Sequence, residues 1–248
     1  PFSIIDLILL LSLVLLLISF LSKSPVETLC KLKFFTMLSA CVPFPAPGGP
    51  NNIILFGPPG AGKGTQSNII VKNFNLHKVS TGDLLRNEIK NNTKLSNKIK
   101  SIIENGSLVS NDIINSLIEK ILSDKKFYNR LIFDGYPRNL NQAKNLNLLL
   151  KQFNQKISCV LCLNVDKESV TKRILGRQIC SNCGLIFNKY FKLSTNKNHT
   201  CDPKFLSKRS DDNEKTIINR FETYIDKTMP VLDFYKEQNL LHQINGMG

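Results

Sequence analysis

Gly57-Pro-Pro-Gly-Ala-Gly-Lys-Gly-Thr-Gln66 combines a lysine with glycine-freed backbone that can wrap around an anion. The apolar run Ile53 to Phe56 ends at Gly57, and Thr65-Gln66-Ser67-Asn68-Ile69-Ile70 reads as the start of a helix. Gly57, four residues and then Gly62-Lys63 is the spacing of a phosphate-binding loop, in the strand–loop–helix context that loop requires. Its successive N–H groups can converge on an anion, and the helix N-terminus adds its positive dipole end. Lys63 would reach the β- and γ-phosphates. Gly64 stands where Ser or Thr is expected, and Thr65 follows. A glycine-rich turn that binds nothing would not need strand, spacing, lysine and helix to agree, so this is read as a nucleotide-phosphate site. Leu131-Ile132-Phe133-Asp134 is an apolar strand closed by a carboxylate. Beside a phosphate loop, Asp134 is expected to hold Mg²⁺, most simply through water.

The elements that would position these groups alternate along the chain. Leu76 to Ser80 reads as a strand running into Thr81-Gly82-Asp83. A helix follows in which Leu84, Leu85 and Ile89 share one face, with Arg86 and Glu88 on the other. Ser96 to Glu104 reads as a second helix closed by Asn105-Gly106, and Ser110 is expected to cap a helix over Asp112–Leu122. After the strand ending at Asp134, helices are expected over Gln142–Gln152 and Lys167–Leu175, around a strand over Ile157–Val165. The last strand is expected over Leu240–Ile244. Such alternation predicts a parallel sheet covered on both faces, with ligands at the carboxyl ends of its strands. No internal repeat is visible.

Composition narrows the class less than these motifs do. The 248 residues suffice for one or two domains, and 42% apolar with 21% charged residues is ordinary for a globular chain. The formal charge of +14 could signal nucleic acid or an anionic membrane. Lysines scattered among asparagines (Lys90, Lys94, Lys98, Lys100, Lys125, Lys126) read instead as solvated faces. Ile4 to Leu21 is apolar apart from Asp6 and two serines, long enough for a signal-anchor or a short membrane span. Lys23 to Leu38 could serve as an organellar transit signal, and Met37 is an alternative start. Cytoplasmic and organellar (mitochondrion- or plastid-like) placement, with or without a membrane anchor, all stay open. Cys41 to Pro50 is a Pro/Gly linker that sets a domain boundary.

The motifs together resemble the adenylate kinases. Gly57 to Gln66, Ser80-Thr-Gly-Asp-Leu-Leu-Arg86 and Asp134-Gly-Tyr-Pro-Arg138 are similar to three of the family's signatures. Arg173-Ile-Leu-Gly-Arg177, Arg209-Ser-Asp-Asp212 and Arg220 match in order and spacing, and Gly64-Thr65 is the family's own form of the loop. The resemblance covers about Asn52 to Gly246. It implies a P-loop kinase fold: a central parallel sheet, a helical monophosphate-binding insertion and a small β-rich lid. The expected partition is a leader and linker at 1–50, core at 51–80, 110–175 and 213–248, the insertion at 81–109 and the lid at 176–212.

The resemblance also implies roles. Gly57, Gly60, Ala61, Gly62, Lys63, Gly64 and Thr65 would cradle ATP. Arg86 and Arg138 would hold the acceptor AMP, whose base Gln142 would read, while Thr81, Gly82, Val109 and Gly135 line the pocket. Arg173, Arg177, Arg209 and Arg220 would grip the donor phosphates and the group in flight, Arg209 and Arg220 also facing AMP. Arginine suits that work because its planar fork bonds phosphate bidentately and stays charged. The implied reaction is Mg²⁺-dependent, ATP + AMP ⇌ 2 ADP, by a monomer. GTP as donor is the near alternative, because the donor-base loop and closing helix of the family would lie beyond Gly248.

Two Cys-x-x-Cys pairs read differently. Cys159 and Cys162 fall within a strand, where residues three apart face opposite ways, so they read as small buried residues. Cys180-Ser-Asn-Cys183-Gly184 has the shape of a zinc knuckle, and Cys201 lies far enough on to close the site. Long-lid adenylate kinases carry zinc at this place, with a fourth ligand three residues beyond the third Cys. Here Lys204 stands there, and the segment from Cys201 to Arg209 is about two residues short. Asp202 is the preferred substitute and His199 the other; a metal-free lid is the competing expectation. No His pairs with Ser or Cys as in a hydrolytic triad. A zinc-knuckle nucleic-acid binder would use the +14 charge but lacks a basic stretch interleaved with aromatics and leaves six arginine matches unexplained. A membrane-anchored nucleotide-binding protein without activity is the remaining reading.

Overall fold

Five parallel strands form the centre of the molecule: β1 (Asn52–Phe56), β2 (His77–Ser80), β3 (Leu131–Asp134), β4 (Ile157–Asn164) and β8 (Leu241–Asn245), in the spatial order β2-β3-β1-β4-β8. The structure is a computed structural model and describes residues 52–90, 94–105, 107–195 and 199–247, all within one compact unit, Pro45–Met247. The apolar stretch 4–21, the basic segment after it, Met37 and the linker 41–50 lie outside the described residues. Among the described residues no helix is long and apolar enough to cross a membrane.

The sheet is parallel because helices join its strands and cover both faces, so its central strands β1, β3 and β4 are apolar on both sides, while β2 and β8 at its edges are mixed. Every residue of β1 and β3 is buried, and Ile53 to Leu55 of β1 exchange register with Ile132 to Asp134 of β3 and with Cys159 to Leu161 of β4. Helices α1 (Lys63–Phe74), α2 (Thr81–Lys90), α3 (Lys94–Glu104), α4 (Asn111–Ser123), α5 (Leu140–Gln152) and α6 (Lys167–Leu175) follow in the order expected. Leu85 of α2, Ile99 of α3 and Ile114 and Ile118 of α4 share one apolar cluster with Ile54, Phe133 and Val160 of the sheet.

Three local readings change. Helix α1 starts at Lys63, two residues earlier than expected, directly from the loop. Helix α2 starts at Thr81 without an intervening turn, because Ser80 Oγ accepts the N–H of Asp83 at 3.3 Å and closes the first turn. Ser110 does occupy the N-cap of α4, but its side chain makes no capping bond. Cys159 and Cys162 are both buried in β4.

After α6 comes a three-stranded antiparallel sheet, β6-β5-β7, formed by β5 (Arg177–Cys180), β6 (Ile186–Asn188) and β7 (Leu206–Ser207). Its interior is small. Cys180, Phe187 and His199 are buried, whereas Leu185, Tyr190, Phe191 and Leu193 are exposed. The chain then returns through α7 (Glu214–Thr223), a π-turn (Tyr224–Thr228) and α8 (Met229–Lys236) to β8.

Candidate active site

The loop after β1 reaches α1 through backbone that only glycine adopts easily. Gly57, Gly60 and Gly62 have φ of 144°, 77° and 93°. A Cβ on Gly60 would stand 2.7 Å from Ile174 Cγ1 and 3.0 Å from the Val170 carbonyl, so α6 packs directly on the bare loop. No side chain caps α1, whose N-cap is Gly62. Its first N–H groups therefore depend on backbone, water or a ligand. Lys63 Nζ folds back to donate to the carbonyls of Gly57 (2.6 Å) and Pro58 (2.8 Å). Burial pulls its ammonium down to about 8; the Asp134 carboxylate opposes that shift and the Arg138 and Arg177 guanidinium groups add to it. Ala61 is buried beneath the loop and Thr65 is exposed.

The same edge of the sheet supplies the other groups, each from the end of a different strand. Asp134 closes β3, and its Oδ2 lies 3.3 Å from Lys78 Nζ of β2. A Cβ on Gly64 would lie 3.6 Å from Lys78 Nζ and 3.7 Å from Asp134 Oδ2, so phosphate loop, carboxylate and Lys78 converge. Asp134 thus already accepts a cation, which fits a carboxylate suited to Mg²⁺. Thr81 Oγ1 donates to the Gly135 carbonyl (2.8 Å), and Arg138 Nε donates to the same oxygen (2.8 Å). Gly82 lies under the guanidinium of Arg86, which is paired with Asp83. Val109 is buried in the cluster below. Gln142 is 2% exposed, with Oε1 accepting the Arg138 N–H (2.8 Å) and Nε2 donating to Asn111 Oδ1 (3.0 Å).

Above this floor the arginines crowd one another. Arg177 pairs with Asp212, its Nε 2.9 Å from Oδ2, and Arg220 pairs with Asp211; both aspartates are buried. Arg209 Nε is buried and has no hydrogen-bond partner. Burial, then the charges of Arg177 and Arg86, hold Arg209 down to about 10, against Asp212 and Asp211. Burial and then Arg220 hold Arg138 down to about 10 as well, with Asp134 opposing and Arg86 adding. Desolvated, mutually repelling guanidinium groups that outnumber their carboxylates form a site that an anion stabilises. Arg173 stands apart from that group. Its Nη2 donates to the Gly246 carbonyl (2.8 Å), its Nη1 lies 3.5 Å from the Ala61 carbonyl, and its guanidinium covers the Phe191 ring at 5.9 Å.

In the small sheet, Cys180, Cys183, His199 and Cys201 offer ligand atoms that all lie within 4.8 Å of one another. Asp202, the preferred fourth ligand from sequence, is not in this group. It caps the turn Pro203–Phe205 by accepting the Lys204 N–H and pairs with Lys204 Nζ at 3.2 Å. His199 takes the place instead, its ring packed at a tilt against Phe187, with centroids 4.7 Å apart. Its Nδ1 is bonded to Ser194 Oγ (2.8 Å), while its Nε2 is buried with no partner. Although burial raises the Cys180 thiol, hydrogen bonds from the backbone N–H groups of Cys183 and Asn182 help bring it down to about 6. Three thiols and an orphaned imidazole nitrogen are a donor set suited to tetrahedral zinc.

Sequence reasoning gave no role to Lys78, Asp211, Asp212 or Asn111. Asp211 and Asp212 had a signal in the Arg209–Asp212 motif, and Lys78 had one in its place a strand position before the buried Val79. The pairing of Arg177 with Asp212 joins residues 35 apart and is a product of the fold.

Comparison with known proteins bears on the same residues. A family model described as adenylate kinase matches residues 55–240. The adenylate kinase of Pelagibacter ubique is 47% identical over 197 residues, covering 79% of this chain and 92% of that protein. Those of Fusobacterium nucleatum and Fervidobacterium nodosum are 40% and 38% identical over 195 and 197 residues, each covering 79% of this chain and 90% of theirs. The matched region spans phosphate loop, arginine cluster and cysteine-bearing sheet alike, and the chain belongs to the adenylate kinase family.

Proposed function

We propose that this chain catalyses reversible phosphoryl transfer between adenine nucleotides, ATP + AMP ⇌ 2 ADP. The observation that carries this reading is the surplus of partly buried, mutually repelling arginines beside the phosphate loop, a place suited to more than one polyanion. The phosphate loop and Lys63 bind the donor's β- and γ-phosphates, with Lys63 leaving the Gly57 and Pro58 carbonyls to do so. Arg86 and Arg138 hold the acceptor phosphate; Arg177, Arg209 and Arg220 neutralise the phosphoryl group between the two nucleotides. An oxygen of the AMP phosphate attacks the γ-phosphorus as the bond to the β-phosphate oxygen breaks, and ADP leaves from both sites. Little covalent chemistry is asked of the protein; alignment and charge stabilisation supply the rate. Mg²⁺ would be held through water by Asp134, and when bound it neutralises the β- and γ-oxygens.

All the side chains in this scheme come from one chain, so a monomer suffices. In the lid, zinc on Cys180, Cys183, His199 and Cys201 would be structural, with no position left for substrate. A coupled assay with AMP as acceptor and ATP or GTP as donor tests the reading. Turnover with AMP and ATP is expected. Folded, nucleotide-binding protein that turns over no AMP with either donor would refute it.

A further inference from the structure

Two helix starts meet at the acceptor side of the site. Asn111 is the first residue of α4, and Gln142 is the third residue of α5, whose N-cap is Asn139. Asn111 Oδ1 accepts two N–H groups, Gln142 Nε2 at 3.0 Å and Asn139 Nδ2 at 3.0 Å. Asn139 Oδ1 accepts the Gln142 backbone N–H at 2.9 Å. On its other side, Gln142 Oε1 accepts the backbone N–H of Arg138 at 2.8 Å.

This ring decides which way the Gln142 amide points. Turned over, the amide would set Oε1 against Asn111 Oδ1 and Nε2 against the Arg138 N–H, replacing two hydrogen bonds with two like-to-like contacts. Asn111 cannot turn over either, since its own Nδ2 would then face two donors. Each end of the Gln142 amide still keeps one unused valence, a second N–H on Nε2 and a second lone pair on Oε1. Resting on the reading of Gln142 as the group that meets the acceptor base, we infer that Asn111 is a positioning residue that makes the site select a 6-aminopurine over a 6-oxopurine. A fixed N–H beside a fixed acceptor complements adenine, whose N1 accepts and whose 6-amino group donates. Hypoxanthine and guanine present the reverse, an N1–H and an oxygen. A free amide would simply flip to match them; an amide held by Asn111 and the Arg138 backbone does not.

The test compares kcat/KM for AMP and IMP, which differ only at this edge of the base, with ATP as donor. The variants are Gln142→Ala, Asn111→Leu, Asn111→Ala and Asn111→Asp, with thermal unfolding as the check on folding. Asn111→Leu should lower the AMP-to-IMP ratio by about tenfold or more, mainly by raising KM for AMP, while KM for ATP holds within about twofold. Asn111→Ala gives the same reading if the leucine does not pack. Asn111→Asp keeps an acceptor facing both N–H groups and should retain the ratio within about threefold. Loss of selectivity in Gln142→Ala with an unchanged ratio in Asn111→Leu and Asn111→Ala would overturn the role of Asn111 and leave that of Gln142 standing. Loss in Asn111→Asp as severe as in Asn111→Leu would also overturn it. An unchanged ratio in Gln142→Ala would remove the reading beneath it.

Discussion

Lys63 is the residue at which charge, burial and loop geometry meet most directly. Without a ligand its ammonium is held by two loop carbonyls and depressed to about 8 by burial. Bound phosphates would restore the charge, so nucleotide binding above that pH must be accompanied by proton uptake. Donor affinity is expected to fall as pH rises through about 8, and the fall should vanish in Lys63→Arg, whose guanidinium does not titrate there. Calorimetric titration between pH 6 and 9.5 reads both. Stability runs the other way: the folded value lies below the unfolded 10.5, so the unfolded chain holds more protons between about 8 and 10.5. This group's contribution to the empty protein's stability is therefore complete above 10.5 and lost as pH falls through 8. Lys63→Met should cost on the order of 10²–10³ in kcat, because its charge serves mainly the transition state. Near-normal turnover in that folded variant would exclude Lys63 from the chemistry.

At the scale of elements, the β5-β6-β7 lobe is the one that cannot hold itself by burial. Its buried interior is little more than Cys180, Phe187 and His199, and four of its large apolar side chains are exposed. A structural metal would supply the missing constraint, since zinc binding contributes directly to folding free energy. The ligand set can be separated by substitution. Purified wild type is expected to carry about one zinc, to lose it with several degrees of melting temperature in His199→Ala and Cys201→Ser, and to keep it in Asp202→Ala. Zinc retained in His199→Ala but lost in Asp202→Ala would restore the carboxylate as ligand. Arg177 opens β5 and Arg209 follows β7, so a loosened lobe also misplaces two arginines of the phosphate site.

Over the whole molecule, stability is set against function in the arginine cluster. Asp211 and Asp212, 3% and 7% exposed, hold Arg220 and Arg177 in place while no phosphate is present. Asp211→Asn leaves a largely buried guanidinium without its counter-charge and should destabilise the empty protein by about 3 kcal/mol. Saturating ATP with AMP should recover most of that loss, because phosphate oxygens replace the carboxylate. The rise in melting temperature on adding nucleotides should therefore be larger in Asp211→Asn than in wild type. An equal rise in both would mean that the aspartate and the substrates do not share the arginine.

Sequence alone determined the parts that depend on local chain geometry. The phosphate loop, the strand ending at Asp134, the alternation of strands and helices and the two Cys-x-x-Cys contexts are each written within about ten residues, where glycine conformation and side-chain periodicity act. The helical return after Asp212 was not legible: the π-turn at Tyr224–Thr228 inserts a residue into the 3.6-residue period, and Pro230 opens the next helix. The fourth member of the cysteine cluster was decided only by tertiary structure. His199 and Asp202 flank Cys201 almost equally in sequence, but the ring contact of one with Phe187 and the pairing of the other with Lys204 separate them. The same holds for Asn111 with Gln142 and for the aspartates with their arginines. Hydrogen bonds and ion pairs between residues far apart in the chain follow from where the sheet and its helices bring them, and no local spacing encodes that.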